Sequence, residues 1–191
     1  MSLSKFLREF LRHPTTTGAV TPSSRHLARA ITGWVNLSSA RYVLEYGPGT
    51  GIFTDFILKQ LPLGAQFAAI EINSRMAEIF RRRHPSLTLV EDSVANVVEI
   101  CRRLEFPSVD CIVCGLPWSS FAEDQQAHFL EQIIAVLRPG GQFVTFAYLE
   151  GLLIPAGRKF PRLLRQYFPH VSRSHIVWLN LTPAFVYQCR R

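Results

Sequence analysis

Val43-Leu44-Glu45-Tyr46-Gly47-Pro48-Gly49-Thr50-Gly51 is the stretch on which the fold turns. A short apolar run ends in an acid, and three glycines two apart follow it before the pattern becomes helical at Ile52. Strand, tight turn and helix in that order form a first βα unit, which puts a nucleotide-like ligand beyond the carboxyl ends of the strands. The dinucleotide spacing G-x-G-x-x-G requires glycine at position 52, where Ile52 stands. Glu45 would also face a pyrophosphate with like charge, whereas an ammonium or sulfonium ligand meets no such repulsion.

Outward from that turn, apolar runs predict strands near 41–46, 66–71, 87–91, 109–114 and 141–148. Helical spacing predicts helices near 51–61, 74–84, 93–104 and 123–137. Strands and helices in alternation predict an α/β fold, a mostly parallel sheet with helices on both faces. A late helix near 158–168 precedes His175-Ile-Val-Trp-Leu179 and Ala184-Phe-Val-Tyr-Gln-Cys189, which read as an antiparallel pair closing the sheet.

The first 37 residues read as a separate cap, with the main α/β domain spanning 38–191. In residues 2–12, Leu3, Phe6, Leu7, Phe10 and Leu11 share one helical arc, and Lys5, Arg8, Glu9 and Arg12 share the other. A helix lying in a bilayer interface has that pattern, as does one docked on its own domain. Pro22, Ser23 and Ser24 open a second helix running to about Val35.

The 191 residues suffice for one well-buried core. The formal charge is +7, and between Gly151 and Arg191 there are seven Arg or Lys and no Asp or Glu. Such a surface suits a polyanion, either nucleic acid or an anionic bilayer. No apolar run reaches the ~18 residues of a spanning helix, so membrane contact is expected to be peripheral. Cys111 and Cys114 form C-x-x-C within a predicted strand, where side chains three apart face opposite ways. They read as core cysteines of a reduced cytoplasmic protein, and no metal site is expected.

Acids recur at the ends of the next strands. Glu71 lies 71 − 51 = 20 residues past the last glycine, where a carboxylate can accept both ribose hydroxyls. Asp92, followed by Ser93, ends the third strand and can accept from an adenine amino group. Gly115-Leu116-Pro117-Trp118 follows the fourth strand, at the same ends of the strands. S-adenosyl-L-methionine carries an ammonium, a sulfonium and no phosphate, and suits this set.

With these motifs, and Leu137-Arg-Pro-Gly-Gly141 before the fifth strand, residues 38–191 resemble class I S-adenosylmethionine-dependent methyltransferases. The resemblance implies a Rossmann-like seven-stranded sheet of order 3-2-1-4-5-7-6 with strand 7 antiparallel. It assigns the cofactor to Glu45, Gly47, Gly49, Thr50, Gly51, Glu71, Ile72, Asp92, Ser93 and Gly115. Gly115-Leu-Pro-Trp118 is similar to the Asn/Asp-Pro-Pro-aromatic or Asn-Leu-Pro-aromatic loop of amino methyltransferases, with Gly115 where the amide or acid belongs. That departure argues against a nucleobase acceptor and leaves the Gly115 and Leu116 carbonyls, with the Trp118 face open to a cation.

Phe6-Leu-Arg-Glu-Phe-Leu-Arg-His-Pro14, Gly18-Ala-Val-Thr-Pro-Ser-Ser24, Phe146-Ala-Tyr-Leu-Glu-Gly-Leu-Leu-Ile-Pro-Ala-Gly-Arg158 and Pro183-Ala-Phe-Val-Tyr-Gln-Cys189 extend the likeness. Together they resemble the soluble bacterial phospholipid N-methyltransferases, which methylate phosphatidylethanolamine toward phosphatidylcholine and have relatives acting on ornithine lipid. The resemblance implies a monomer at the inner face of the cell membrane, with a phospholipid rather than nucleic acid as partner. Tyr148 is then the hydroxyl that orients the amine or relays its proton, and Trp118 holds the methylated cation. Arg158, Arg162 and Arg165 share one helix face, with Arg158 and Arg162 expected at the lipid anion. The rivals are an rRNA adenine methyltransferase and a membrane-docked cofactor-binding module without activity.

Overall fold

The computed structural model describes residues 23–191. The expected helix over 2–12 and the loop after it lie outside the described residues.

The inner parallel strands are apolar runs covered on both faces, as a sheet flanked by two helix layers requires. The strands are β1 (Tyr42–Tyr46), β2 (Gln66–Glu71), β3 (Thr88–Glu91), β4 (Val109–Cys114), β5 (Leu137–Tyr148), β6 (His170–Arg173) and β7 (Ala184–Arg190). Their order is β3-β2-β1-β4-β5-β7-β6, and β7 runs antiparallel to both neighbours, as expected.

The helices are α1 (Arg25–Gly33), α2 (Ile52–Leu58), α3 (Ser74–Arg83), α4 (Val97–Arg103), α5 (Glu123–Val136) and α6 (Pro155–Tyr167). Ser24 Oγ caps α1 by accepting from the Leu27 N–H at 3.1 Å, and Asn73 Oδ1 caps α3 through Arg75 and Met76. α1 and α2 cover one face, where Leu27, Ile31 and Ile57 meet Val43, Val113 and Val186. On the other, Ile100, Leu130, Ile133 and Leu164 meet Leu44, Ile112 and Phe185. Cys111 belongs to the first layer and Cys114 to the second, and burial pushes both thiols up to about 12.

Several boundaries differ from expectation, among them that of β5, which already begins at Leu137 within the turn expected before it. The helix expected over 93–104 is a 3-10 turn, Val94–Asn96, followed by α4. More consequentially, β6 is the polar segment His170–Arg173, and of the run 175–179 only Val177 bridges to Ala184. Phe168, stacked on Phe143 at 5.7 Å, ends α6 against the core, so the chain reaches the free edge of β7 directly at His170. An outermost strand has a solvated edge and face and does not need an apolar sequence.

Candidate active site

Gly47, Gly49 and Gly51 all have positive φ, at 64°, 54° and 79°, which side-chain-bearing residues rarely adopt. The turn they make sits over the ends of the central strands. The Gly47 N–H donates to the Ile70 carbonyl at 2.9 Å, and the Gly49 N–H donates to Glu71 Oε2 at 3.3 Å. A Cβ at 49 would meet nothing within 4 Å, so the turn is open on that side.

Glu45 is 0% exposed. Its Oε2 accepts from Thr54 Oγ1 at 2.6 Å, while its Oε1 is buried with no partner among the described residues. Burial, reinforced by Glu71 and Asp55, pushes its pKa up to about 8 against the pull of the Thr54 hydroxyl. A fully buried carboxyl with one orphaned oxygen is a site that a cation completes. Glu71, also buried, accepts from the Asn73 N–H at 2.9 Å as well as from Gly49, which limits the upward shift that burial imposes. Ile72, half-buried, follows it against the core layer of Leu44 and Ile112.

Asp92 is more heavily committed. Its Oδ1 accepts from Ser93 N–H at 2.7 Å and Asn96 Nδ2 at 2.8 Å, and its Oδ2 from Arg103 at 3.2 Å. Ser93 Oγ accepts from Ala95 N–H at 3.2 Å, so the pair caps the short turn after β3 as well as standing at the rim.

Sequence reasoning missed what holds the glycine turn from outside. Arg83 Nη1 donates to the Thr50 carbonyl at 2.9 Å while Nη2 pairs with Asp55, and His84 lies where a Cβ at Gly51 would collide at 2.7 Å. Thr54 was missed as well, since its distance of nine residues from Glu45 carries no local signal.

Gly115 packs directly against the glycine turn. Its N–H donates to the Tyr46 carbonyl at 2.7 Å, and a Cβ on it would come within 2.7 Å of the Gly47 carbonyl oxygen. An amide or acid side chain there has no room. The Leu116 carbonyl accepts from Trp118 N–H at 3.1 Å, whereas that of Gly115 has no partner among the described residues.

Trp118 corrects an expectation. It is 2% exposed, its Nε1 donates to Thr145 Oγ1 at 2.8 Å, and Phe160 stacks on its ring at a centroid distance of 4.5 Å. Phe121, Phe129 and Phe143 meet the ring edge to face. The indole is a core residue that anchors the loop, and Phe160 covers the face expected to hold a substrate cation. Its neighbourhood still lines a pocket, with Pro117, Phe146, Tyr148, Leu152 and Gly157, and no charged side chain contributes to the lining.

Tyr148, half-buried at the end of β5, packs edge to face on Phe146 at 5.1 Å. Burial, with Glu150 nearby, pushes its phenol above the usual tyrosine range, so the hydroxyl stays protonated at neutral pH. Arg158 and Arg162 stand exposed on α6 without an ion-pair partner among the described residues, whereas Lys159 between them pairs with Glu123 at 2.8 Å.

A sheet of this order, with a glycine turn at the first junction and acids at successive strand ends, defines the class I methyltransferase fold. The methyltransferase domain family matches residues 43–141, just over half of the chain, and the protein belongs to that family. It is an S-adenosylmethionine-dependent methyltransferase. The chain is 28% identical over 188 residues to the ornithine lipid N-methyltransferase of Singulisphaera acidiphila, covering 97% of this chain and 94% of that one. Ribosomal RNA small subunit methyltransferase A of Prosthecochloris aestuarii is 32% identical over 75 residues, 39% of this chain and 28% of its own. Among solved structures, an O-methyltransferase from Bacillus cereus in complex with SAH superposes with a TM-score of 0.72 at 16% identity, covering 98% of this chain and 91% of its own.

Proposed function

We propose that the protein methylates the headgroup amine of a membrane lipid at the inner face of the cell membrane, with ornithine lipid and phosphatidylethanolamine as the candidate acceptors. The observation that carries this reading is the end-to-end likeness to an ornithine lipid N-methyltransferase, against a likeness to the ribosomal RNA enzymes confined to about two fifths of the chain. The apolar pocket beside Tyr148 and the free cations of α6 support it. Both headgroups combine an amine with an anionic group, a carboxylate in one and a phosphate in the other. Ornithine lipid is the first acceptor to test.

The residues fit the cofactor. Glu45 Oε1, orphaned and buried, would receive the amino-acid ammonium, the glycine turn would admit the backbone of the ligand, and Glu71 would accept from the ribose. Ile72, Asp92 and Ser93 would border the adenine at the ends of β2 and β3. When bound, S-adenosylmethionine supplies a methyl on a sulfonium, whose bonding electron pair leaves with sulfur.

The headgroup ammonium gives its proton to solvent before it is enclosed, and the chain's part is to present the resulting neutral amine in line with that methyl and to keep water out. The Gly115 carbonyl, lacking a partner, accepts one amine hydrogen, and the protonated Tyr148 hydroxyl orients the nitrogen. With its phenol pushed up, Tyr148 positions the amine rather than taking its proton as phenolate. Arg158 and Arg162 hold the headgroup anion at the pocket rim.

The test incubates the protein and cofactor with vesicles containing ornithine lipid, phosphatidylethanolamine, or neither, and reads headgroup mass. Methylation of either amine lipid supports the reading and identifies the acceptor. An unchanged mass in both overturns it.

A further inference from the structure

Trp178, Leu179 and Leu181 lie at the tip of the β6–β7 connection, exposed at 66%, 69% and 78%. The loop is closed at its base, where the Val177 N–H donates to the Ala184 carbonyl at 2.7 Å and the Ala184 N–H donates back at 3.3 Å. Inside the loop, Asn180 turns inward and is 8% exposed. Its Oδ1 accepts from the Ser24 N–H and its Nδ2 donates to the Thr182 carbonyl, both at 2.8 Å. The polar residue is therefore buried and the large apolar ones face out, the reverse of what water alone selects.

The position of the loop gives this inversion meaning. The Leu149 N–H donates to the Pro183 carbonyl at 2.8 Å, which ties the loop to the turn Leu149–Leu153 after β5. Leu153 and Ile154 at the end of that turn are also exposed. Both segments thus sit at the end of the sheet where Tyr148 pairs with Ala184 and the pocket opens. α6 begins immediately after Ile154 and carries the unpaired Arg158 and Arg162, in a stretch of chain with seven cations and no acid.

We propose that the loop Trp178–Leu181 is a membrane anchor that, with Leu153 and Ile154, seats the pocket rim on an anionic bilayer. Charge complementarity selects the occupant: exposed cations beside an apolar tip suit anionic headgroups above acyl chains, and tryptophan favours that boundary. The internal hydrogen bonds of Asn180 hold the tip in its inserting shape before contact. The purpose of the anchor rests on the lipid-amine reading above, but the anchoring is read by binding alone.

The experiment uses the full chain and vesicles of phosphatidylcholine and phosphatidylglycerol with brominated acyl chains, which contain no primary amine to methylate. Trp178 emission should shift to the blue and be quenched by bromine, with Trp178→Phe removing the response and keeping the binding. Leu179→Ser with Leu181→Ser should weaken vesicle binding at least tenfold and leave S-adenosylmethionine affinity unchanged. Binding by the wild type without quenching of Trp178, or equal binding by the double variant, overturns the anchor. So does concentration-dependent dimerisation without lipid that the double variant abolishes, which assigns the loop to a second copy. Trp178 inaccessible to acrylamide in lipid-free protein overturns it too, because the chain itself then covers the tip. Vesicle binding as described without transfer to any amine lipid would sustain the anchor and sink the lipid-amine reading alone.

Discussion

The α-carbon of Gly115 lies so close to the Gly47 carbonyl that a Cβ at 115 would come within 2.7 Å of that oxygen. The loop after β4 and the glycine turn after β1 are thus fitted to each other, and the amide or acid of related loops is absent for want of space. Gly115→Ala should cost about 1–3 kcal/mol by overpacking. That corresponds to a fall in Tm of roughly 2–12 °C for a domain of this size. Scanning calorimetry and cofactor titration should show lower Tm and weaker S-adenosylmethionine binding together. A variant with unchanged values for both would mean that the two turns are not in contact.

Glu45 makes cofactor binding a proton-linked event. Its pKa is raised from 4.5 to about 8 by burial, so the cofactor-free protein is protonated there at neutral pH. An incoming ammonium favours the carboxylate and expels that proton. Affinity should therefore rise with pH toward about 8 and fall again once the ligand ammonium itself deprotonates, and titration calorimetry in buffers of different ionisation enthalpy should record proton release below that pH. Glu45→Gln should weaken binding by about 1.5–3 kcal/mol and flatten the profile. The linked stability has the opposite slope. A raised carboxyl pKa gives the folded state more bound protons than the unfolded between 4.5 and about 8, so the cofactor-free protein loses stability as pH rises through that window.

Tyr148→Phe should lower kcat by roughly 10- to 100-fold, less than the loss of a group that transfers the proton itself, and leave cofactor affinity as it was. The pH–rate profile should keep its shape, because a phenol pushed above its usual range does not ionise in the working window. A profile that loses its basic limb in the variant would show that Tyr148 takes the proton itself.

Trp118 should behave as core. Trp118→Ala removes an aromatic that four phenylalanines pack against and should cost about 3–5 kcal/mol. Trp118→Phe should fold, lose the Thr145 hydrogen bond, and keep the KM for the lipid amine. A selective rise in that KM with Tm preserved would restore the cation-holding role.

Arg158→Gln with Arg162→Gln should raise the KM for the lipid acceptor roughly 30-fold, since each cation near an anionic surface is worth about 1 kcal/mol. The KM for S-adenosylmethionine should not move. Loss of affinity for the cofactor instead would place the two arginines elsewhere in the mechanism.

Where local pattern and tertiary role coincided, the sequence was readable. The run Val43–Glu45 with its glycines gave strand, turn and helix because the positive φ at 47, 49 and 51 admits little else. The doubly covered strands read as apolar runs, and the ranges of β2 and β4 agree with expectation residue for residue. The pattern misled where exposure and polarity were reversed. His170–Arg173 is a polar edge strand and Trp178–Leu181 an apolar loop, so hydrophobicity placed the strand in the loop. Trp118 was legible as an aromatic after β4, but the phenylalanines that enclose it come from α5, β5 and α6 and the loop before α5, and no local spacing announces that enclosure. The clamp of Arg83 and His84 on the glycine turn is likewise long-range.

The most direct test of lipid-amine methylation supplies radiolabelled S-adenosylmethionine to the purified protein in one mixture of vesicles and 16S rRNA, with ornithine lipid or phosphatidylethanolamine as the sole amine lipid. Label in the lipid fraction, absent when the amine lipid is omitted, is the expected result. Label confined to the RNA would contradict the proposed acceptor and make the basic surface a nucleic-acid interface.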